Sequence, residues 1–267
     1  MPSTRIPDSS TGPLSQVLQS LVEHAYLFRG WDPVALAGEL KVEAHQIEKF
    51  YASQSLFTAF QPEKSLQNLY VVLGGGPIII RSSPLDRIIG INYPGSCLGM
   101  RNLPFSYGLL DYAFPSLVEA YKTTTVLRIS LEAFQELYRN HETLQHRYKR
   151  LFELREKFQY HLLNCSAYPP QAVATVLKAL VYQEQELGNQ PDSSGTFSFD
   201  LPIDIIARAS QLNPRTVEQV LKGMTQVGVI QLQTEAGNDG LSIRDLEQLD
   251  EIYGNTRGKV NWWPLSR

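Results

Sequence analysis

Apolar residues recur at helical spacing from Leu14 to about Leu40, at Leu18, Leu21, Val22 and Ala25. Gly30 and Pro33 divide this stretch into two short predicted helices. From about Ile47 the period shortens. Leu56–Phe60, Leu69–Leu73, Ile78–Arg81 and Ile88–Ile91 are short runs rich in β-branched and aromatic residues. They are bounded by Gln61-Pro62-Glu63-Lys64, Gly74-Gly75-Gly76-Pro77, Ser82-Ser83-Pro84 and Tyr93-Pro94-Gly95-Ser96. Strands this closely spaced predict an all-β sandwich or barrel that ends near Ile129.

Leu131 to Asn164 then reads as one long helix. In heptads, Leu144, Leu151, Phe158 and Cys165 take one seam position, and Arg147, Leu154 and His161 take the other. This two-stranded coiled-coil pattern predicts a homodimer with Leu144, Leu151, Leu154 and Phe158 in its interface. An amphipathic helix packed on its own domain gives a similar pattern. Tyr168-Pro169-Pro170 ends the helix. Gln171–Leu187 is a second helix, Gly188–Gly195 a polar loop, and Leu201 to about Val227 two short helices around a tight turn. Val229–Gln233 and Leu241–Arg244, joined by Thr234–Gly240, predict a hairpin. A terminal helix over Ile243–Ile252 and an aromatic tail with Trp262-Trp263-Pro264 follow. The expected organisation is a disordered tail over 1–13, helices and strands over 14–130, a long dimerisation helix over 131–166 and a further domain over 167–267.

The chain has 267 residues, 43% hydrophobic and 19% charged, an ordinary globular balance. Its longest nearly charge-free run, Val71–Ile80, is broken by three glycines and a proline and is too short to span a membrane. Met1–Pro13 has no apolar segment of a secretory signal. Two cysteines, Cys97 and Cys165, suit neither a disulfide scaffold nor a four-cysteine metal site, so the expected location is a reducing cytoplasm. The net charge is −3. Phosphate contacts dominate nucleic-acid affinity, so DNA binding here must come from a local patch or a dimer. No Walker-type phosphate loop, nucleophile elbow or His-Glu-x-x-His motif occurs, and no catalytic residue is expected.

Residues 201–221 carry the most specific pattern. Ile205, Ile206, Ala209, Leu212, Val217, Val220 and Leu221 form the apolar framework of two crossed helices. Asn213 is a good N-cap and Pro214 suits the first helical turn. With Thr216-Val217 and the following Val227-Gly228-Val229-Ile230, this segment resembles the CRP/FNR family of bacterial regulators. The resemblance extends over about residues 40–245. It implies an α+β fold: an N-terminal cyclic-nucleotide-binding-like β-roll, a long dimerisation helix and a C-terminal winged helix-turn-helix. In that family the second crossed helix reads the major groove. The positions that carry this over are Asn213, Arg215, Thr216, Gln219 and Lys222, with Arg215 and Gln219 on base edges and Lys222 on phosphate. Family members usually place Arg-Glu where Pro214 and Arg215 stand. Charges cancel between Asp200 and Ile230, where Arg208, Arg215 and Lys222 stand against Asp200, Asp204 and Glu218.

Tyr93-Pro94-Gly95-Ser96-Cys97-Leu98-Gly99 matches the lead-in to the family's phosphate cassette. The Glu that holds the ribose of cyclic AMP falls on Met100, and the Arg-Ser pair that holds its phosphate falls on Phe114-Pro115. A buried phosphate needs a cation, so cyclic AMP is not the expected ligand. An iron–sulfur cluster needs four thiolates. None of His24, His45, His141, His146 and His161 has a distinctive haem setting, and His141 and His146 are expected on a solvated helix face. No cofactor is expected. Taken as a whole, the chain resembles a divergent cyanobacterial branch of the family that binds cyclic di-GMP. Guanine and phosphate are gripped by arginine forks and aromatic faces, which nominates Arg101, Tyr107, Arg147, Arg150 and Arg155. Solvated i,i+4 pairs with Glu153 and Glu156 are the plainer alternative for the helix arginines.

Three functional readings follow. The first is an effector-controlled regulator that binds DNA as a dimer. The second is an effector receptor acting through a partner transcription factor. The third is a ligand-free DNA-binding or interaction protein of the same fold.

Overall fold

The computed structural model describes residues 13–41, 43, 46–58, 68–83, 87–99, 114–235, 238–254 and 260–264. They fall into two compact units. The first lies within 1–78, 92–109 and 118–152, and the second within 79–91, 110–117 and 153–267.

The first unit opens with α1 (Pro13–His24) and α2 (Pro33–Leu40). The Asp32 carboxylate caps α2, accepting the Ala35 N–H at 2.7 Å, and Pro33 fills the first helical position. Strands β1 (Ile47–Phe50), β2 (Ser55–Thr58), β3 (Asn68–Gly75), β4 (Ile78–Ser83), β5 (Arg87–Asn92), β6 (Cys97–Leu98), β7 (Phe114–Ala120) and β8 (Thr124–Ser130) follow in the chain. They form two four-stranded sheets, ordered β1-β8-β3-β6, which belongs to the first unit, and β2-β7-β4-β5, whose β4, β5 and the start of β7 are counted to the second. In the first sheet β3 runs antiparallel to β8, with Leu69 opposite Ile129 and Val71 opposite Leu127. A bulge at Val72/Gly74 leads into the glycine turn between β3 and β4 expected from Gly74-Gly75-Gly76.

The expected single helix over 131–164 is two helices. Helix α3 (Leu131–Asn140) is capped by the Ser130 hydroxyl, and α4 runs Glu142–Leu163. Between them His141 is extended (φ −129°, ψ 104°). Its ring has left the helical path for a tertiary partner. Nε2 lies 2.9 Å from Glu39 Oε2, and the ring sits edge-on to Trp31 at 4.8 Å. The Gln145 side chain bridges the break by donating to the Tyr138 carbonyl at 2.8 Å. His141 therefore does not lie on a solvated helix face as expected. His146 does lie exposed on α4, 3.5 Å from Glu142.

Of the four residues expected in a dimer interface, Leu144, Leu154 and Phe158 are already buried within the single chain and Leu151 is half-buried. Leu144 and Tyr148 are fully buried, and Leu154 and Phe158 are 3% and 4% exposed within the single chain. Leu144, Tyr148 and Phe152 join Phe28, Leu36, Val71, Ile129 and Phe134 in the first unit's core, with Leu151 packed at its edge. The buried stripe along α4 (Leu144, Tyr148, Phe152, Phe158, Leu162) follows the plain helical period. That period drifts from a heptad by only about 20° per seven residues, so the two patterns share members over three turns.

In the second unit α5 (Pro169–Glu186) is the central element and is buried on most sides from Pro170 to Val181. The strand β9 (Phe197–Asp200) was not expected. It joins β10 (Ile230–Glu235) and β11 (Asn238–Ile243) in a sheet ordered β10-β11-β9. Helices α6 (Ile203–Ser210) and α7 (Pro214–Gln226) form the crossed pair. The terminal helix α8 is Leu246–Gly254. It starts later than expected because Ile243 ends β11 and Asp245 Oδ1 accepts the Gln248 N–H at 2.9 Å.

Candidate nucleic-acid interface and effector cassette

Helix α7 is built to present one face. Asn213 Oδ1 accepts the Thr216 N–H at 2.8 Å and caps the helix, and Pro214 holds its first position. Val217, Val220, Leu221 and Met224 turn inward and are buried. Arg215, Glu218, Gln219 and Lys222 are all exposed. Their spacing of three and four residues places them on one strip. Of the residues expected to touch DNA, Arg215, Gln219 and Lys222 thus lie together and open to solvent. Asn213 is spent on capping, and Thr216 is half-buried at the helix start. Glu218 stands on the same strip and offsets one of its two cations.

The turn before α7 is held at Gln211, a non-glycine residue at φ 60°, while the Leu212 N–H donates to the Ala207 carbonyl at 3.0 Å. Arg87, at the start of β5, donates to the Leu163 carbonyl at 3.0 Å and also to Gln211 Oε1. It links the last turn of α4 with the turn of the helix pair. Sequence reading missed it, because its partners lie 76 and 124 residues away and no local pattern marks them. Nearby, burial pushes the Cys165 thiol up to about 11, with Arg87 opposing. Cys165 is therefore a packed thiol, as expected, and not a reactive one.

The cassette lead-in is a tight turn. The Ser96 N–H donates to Tyr93 O at 3.0 Å, and Gly95 N–H to Val72 O at 2.8 Å. Gly95 has φ 89°, and a Cβ there would lie 2.7 Å from the His24 carbonyl oxygen, so only glycine fits. Cys97 packs in the core beyond it, as expected. Met100, Arg101 and Tyr107 lie outside the described residues, and Phe114 and Pro115 open β7.

The three helix arginines do not form one fork. Arg147 donates to the carbonyls of Leu27 (3.3 Å) and Arg29 (2.6 Å), which fastens the loop between α1 and α2. Much of its guanidinium is committed to the fold. Arg150 is exposed and Arg155 half-buried. Five residues apart, they project about 140° from each other around α4. Among the described residues no group of three or more His, Cys, Asp or Glu is placed to hold a metal. No described helix is long and apolar enough to cross a membrane.

No protein-family model matches the sequence, and no curated protein matches it. Solved structures do. FixK2 from Bradyrhizobium japonicum aligns with a TM-score of 0.55 at 14% identity, over 77% of this chain and 96% of that one. A CooA mutant from Carboxydothermus hydrogenoformans aligns with a TM-score of 0.56 at 15% identity, over 92% and 97%. CLP from Xanthomonas campestris, described as a c-di-GMP responsive global regulator, aligns with a TM-score of 0.51 at 14% identity, over 80% and 100%. At such identities the likeness is one of fold. That fold is the one the sequence resemblance implied, the β-roll and C-terminal helix-turn-helix architecture of the CRP/FNR regulators.

Proposed function

We propose that this chain is a ligand-responsive regulator of transcription that reads DNA through α7 and does not depend on cyclic AMP. One observation carries the reading. An N-capped helix offers Arg215, Gln219 and Lys222 on a single open strip above a closed apolar framework. Arginine forks and glutamine amides are suited to base edges, and a lysine to phosphate. A homodimer on a two-fold site would double the modest local charge. Its interface would use surfaces other than Leu144, Leu154 and Phe158, which the chain buries itself, with the half-buried Leu151 still available at the edge.

The effector we propose is cyclic di-GMP. The cassette carries Met100 where cyclic-AMP binders hold the ribose, and Phe114-Pro115 where they hold the phosphate. Two guanines and two phosphates call for arginines with aromatic neighbours, which Arg101, Tyr107 and the exposed Arg150 supply. The c-di-GMP responsive CLP shows that this fold accommodates such control. Arg147 and Arg155 would contribute only from their present, partly committed positions. Calorimetry with cyclic di-GMP and with cyclic AMP tests the proposal. Binding of the dinucleotide alone is expected. Arg101→Ala should weaken it by about 1.5–3 kcal/mol, the worth of a charge-assisted contact. Tight cyclic-AMP binding, or no response to either nucleotide, would overturn it.

The exposed Glu218 and the donor-less Pro214 favour a second reading, an effector receptor that acts through a partner transcription factor. Dinucleotide binding with no affinity for any DNA would select it.

A further inference from the structure

Within the second unit, a cavity of about 220 Å3 lies between the C-terminal part of α4, the middle of α5 and the end of α8. Lys157 and His161 line it from α4, Thr175, Lys178 and Tyr182 from α5, and Tyr253 from α8. Its polar groups are mostly donors. Lys157 Nζ donates to Tyr182 Oη at 2.9 Å and sits 5.0 Å from that ring's centroid. Among the described residues no carboxylate pairs with it. Lys178 Nζ lies 4.5 Å from the Tyr253 centroid and 2.7 Å from Asp250 Oδ1. His161 Nδ1 lies 3.4 Å from Tyr253 Oη. The Thr175 hydroxyl is turned away, donating to the Gln171 carbonyl at 2.8 Å.

Two lysine side chains line one cavity, and among the described residues only Lys178 is paired with a carboxylate, the exposed Asp250, which leaves a positive site. Burial holds the His161 ring below its ordinary pKa of 6.5, and Lys157 and Lys178 push it down further. Two tyrosine hydroxyls and an ammonium with donors to spare match the acceptors of an oxyanion. At about 220 Å3 the space falls below the roughly 300–1,000 Å3 of sites for drug-sized ligands. A cyclic dinucleotide does not fit. A phosphate group on a small body does.

We propose that this cavity binds a small phosphate-bearing ligand, either free phosphate or a compact phosphate monoester, with Lys157 and Lys178 as its counter-ions and Tyr182 and Tyr253 as hydroxyl donors. The site is separate from the reader face and from the cassette, and its standing does not depend on the regulatory reading.

The full chain, titrated with inorganic phosphate and separately with phenyl phosphate, tests this by the ring resonances of His161, assigned with His161→Gln. A saturable shift is expected, with the His161 pKa rising as the bound anion offsets the lysines. Tighter binding of phenyl phosphate identifies a monoester as the natural occupant. Equal affinity identifies free phosphate. Lys157→Met should weaken binding by about tenfold or more, and Lys157→Arg should restore most of it. Lys157 is exposed, so neither variant threatens the fold. The proposal fails if neither phosphate gives a saturable shift, if sodium chloride at matched ionic strength gives the same one, or if Lys157→Met binds as the parent does.

Discussion

Replacing Asn213 with Ala removes the acceptor of the Thr216 N–H and leaves α7 uncapped. The expected cost is about 1 kcal/mol, read as a lower unfolding midpoint in urea. Asn213→Asp should restore it. His161 makes a second prediction at this scale. Burial, Lys157 and Lys178 hold its folded-state pKa below the unfolded value of 6.5. In the window between the two values the unfolded chain binds the extra proton. The stability owed to a neutral ring is thus present above about pH 6.5 and lost as the pH falls through that window. Chemical unfolding at a series of pH values should show a shallower acid loss in His161→Gln than in the parent. Equal slopes would contradict the assignment. These residue-level features differ in how far the sequence announced them. Asn213-Pro214 is a local signal, and it was legible. Arg147 looked like a free fork on a helix face, because nothing nearby reveals that the Leu27 and Arg29 carbonyls, more than a hundred residues earlier, take its donors.

Helix α4 carries the lesson at the next scale. Its apolar residues were legible, but their destination was not. A seam against a second chain and a stripe against the chain's own core differ by a tenth of a residue per turn, too little to separate within 22 residues. Tyr148, Phe152 and Leu162 favour the stripe against the chain's own core, for they extend the plain helical period and have no place in the heptad. Phe158→Ala should therefore destabilise the folded protomer by about 3–5 kcal/mol. The loss should be the same at low and high protein concentration, as measured by thermal unfolding. A loss that grows on dilution would restore the seam. The break at His141 was also invisible. Arg139-Asn140-His141 contains no proline or glycine, and the helix stops because Glu39 and Trp31 draw the imidazole away. Strand β9 was hidden for a related reason. Four residues alternating Phe-Ser-Phe-Asp gain their meaning only when β11 pairs with them.

At the scale of the whole molecule, the order of roll, helices and crossed pair could be read from turn chemistry, periodicity and one capped apolar framework. The effector could not, because Met100 and Phe114-Pro115 stand where cyclic-AMP binders hold the ribose and phosphate, and no residue pattern names a replacement ligand. The net charge of −3 makes long-range attraction to DNA weak, so the proposed recognition would rest on the strip of α7. Glu218→Gln should tighten DNA binding by removing a repulsion. Lys222→Ala should weaken it across all sequences and lower the salt slope by about one. The most direct test is the salt dependence of affinity for a duplex selected from a random pool, with cyclic di-GMP present and absent. A steep loss with salt is expected, a log–log slope of about −2 or steeper, with an affinity that changes when the dinucleotide is added. A flat, weak response unaffected by the dinucleotide would contradict it.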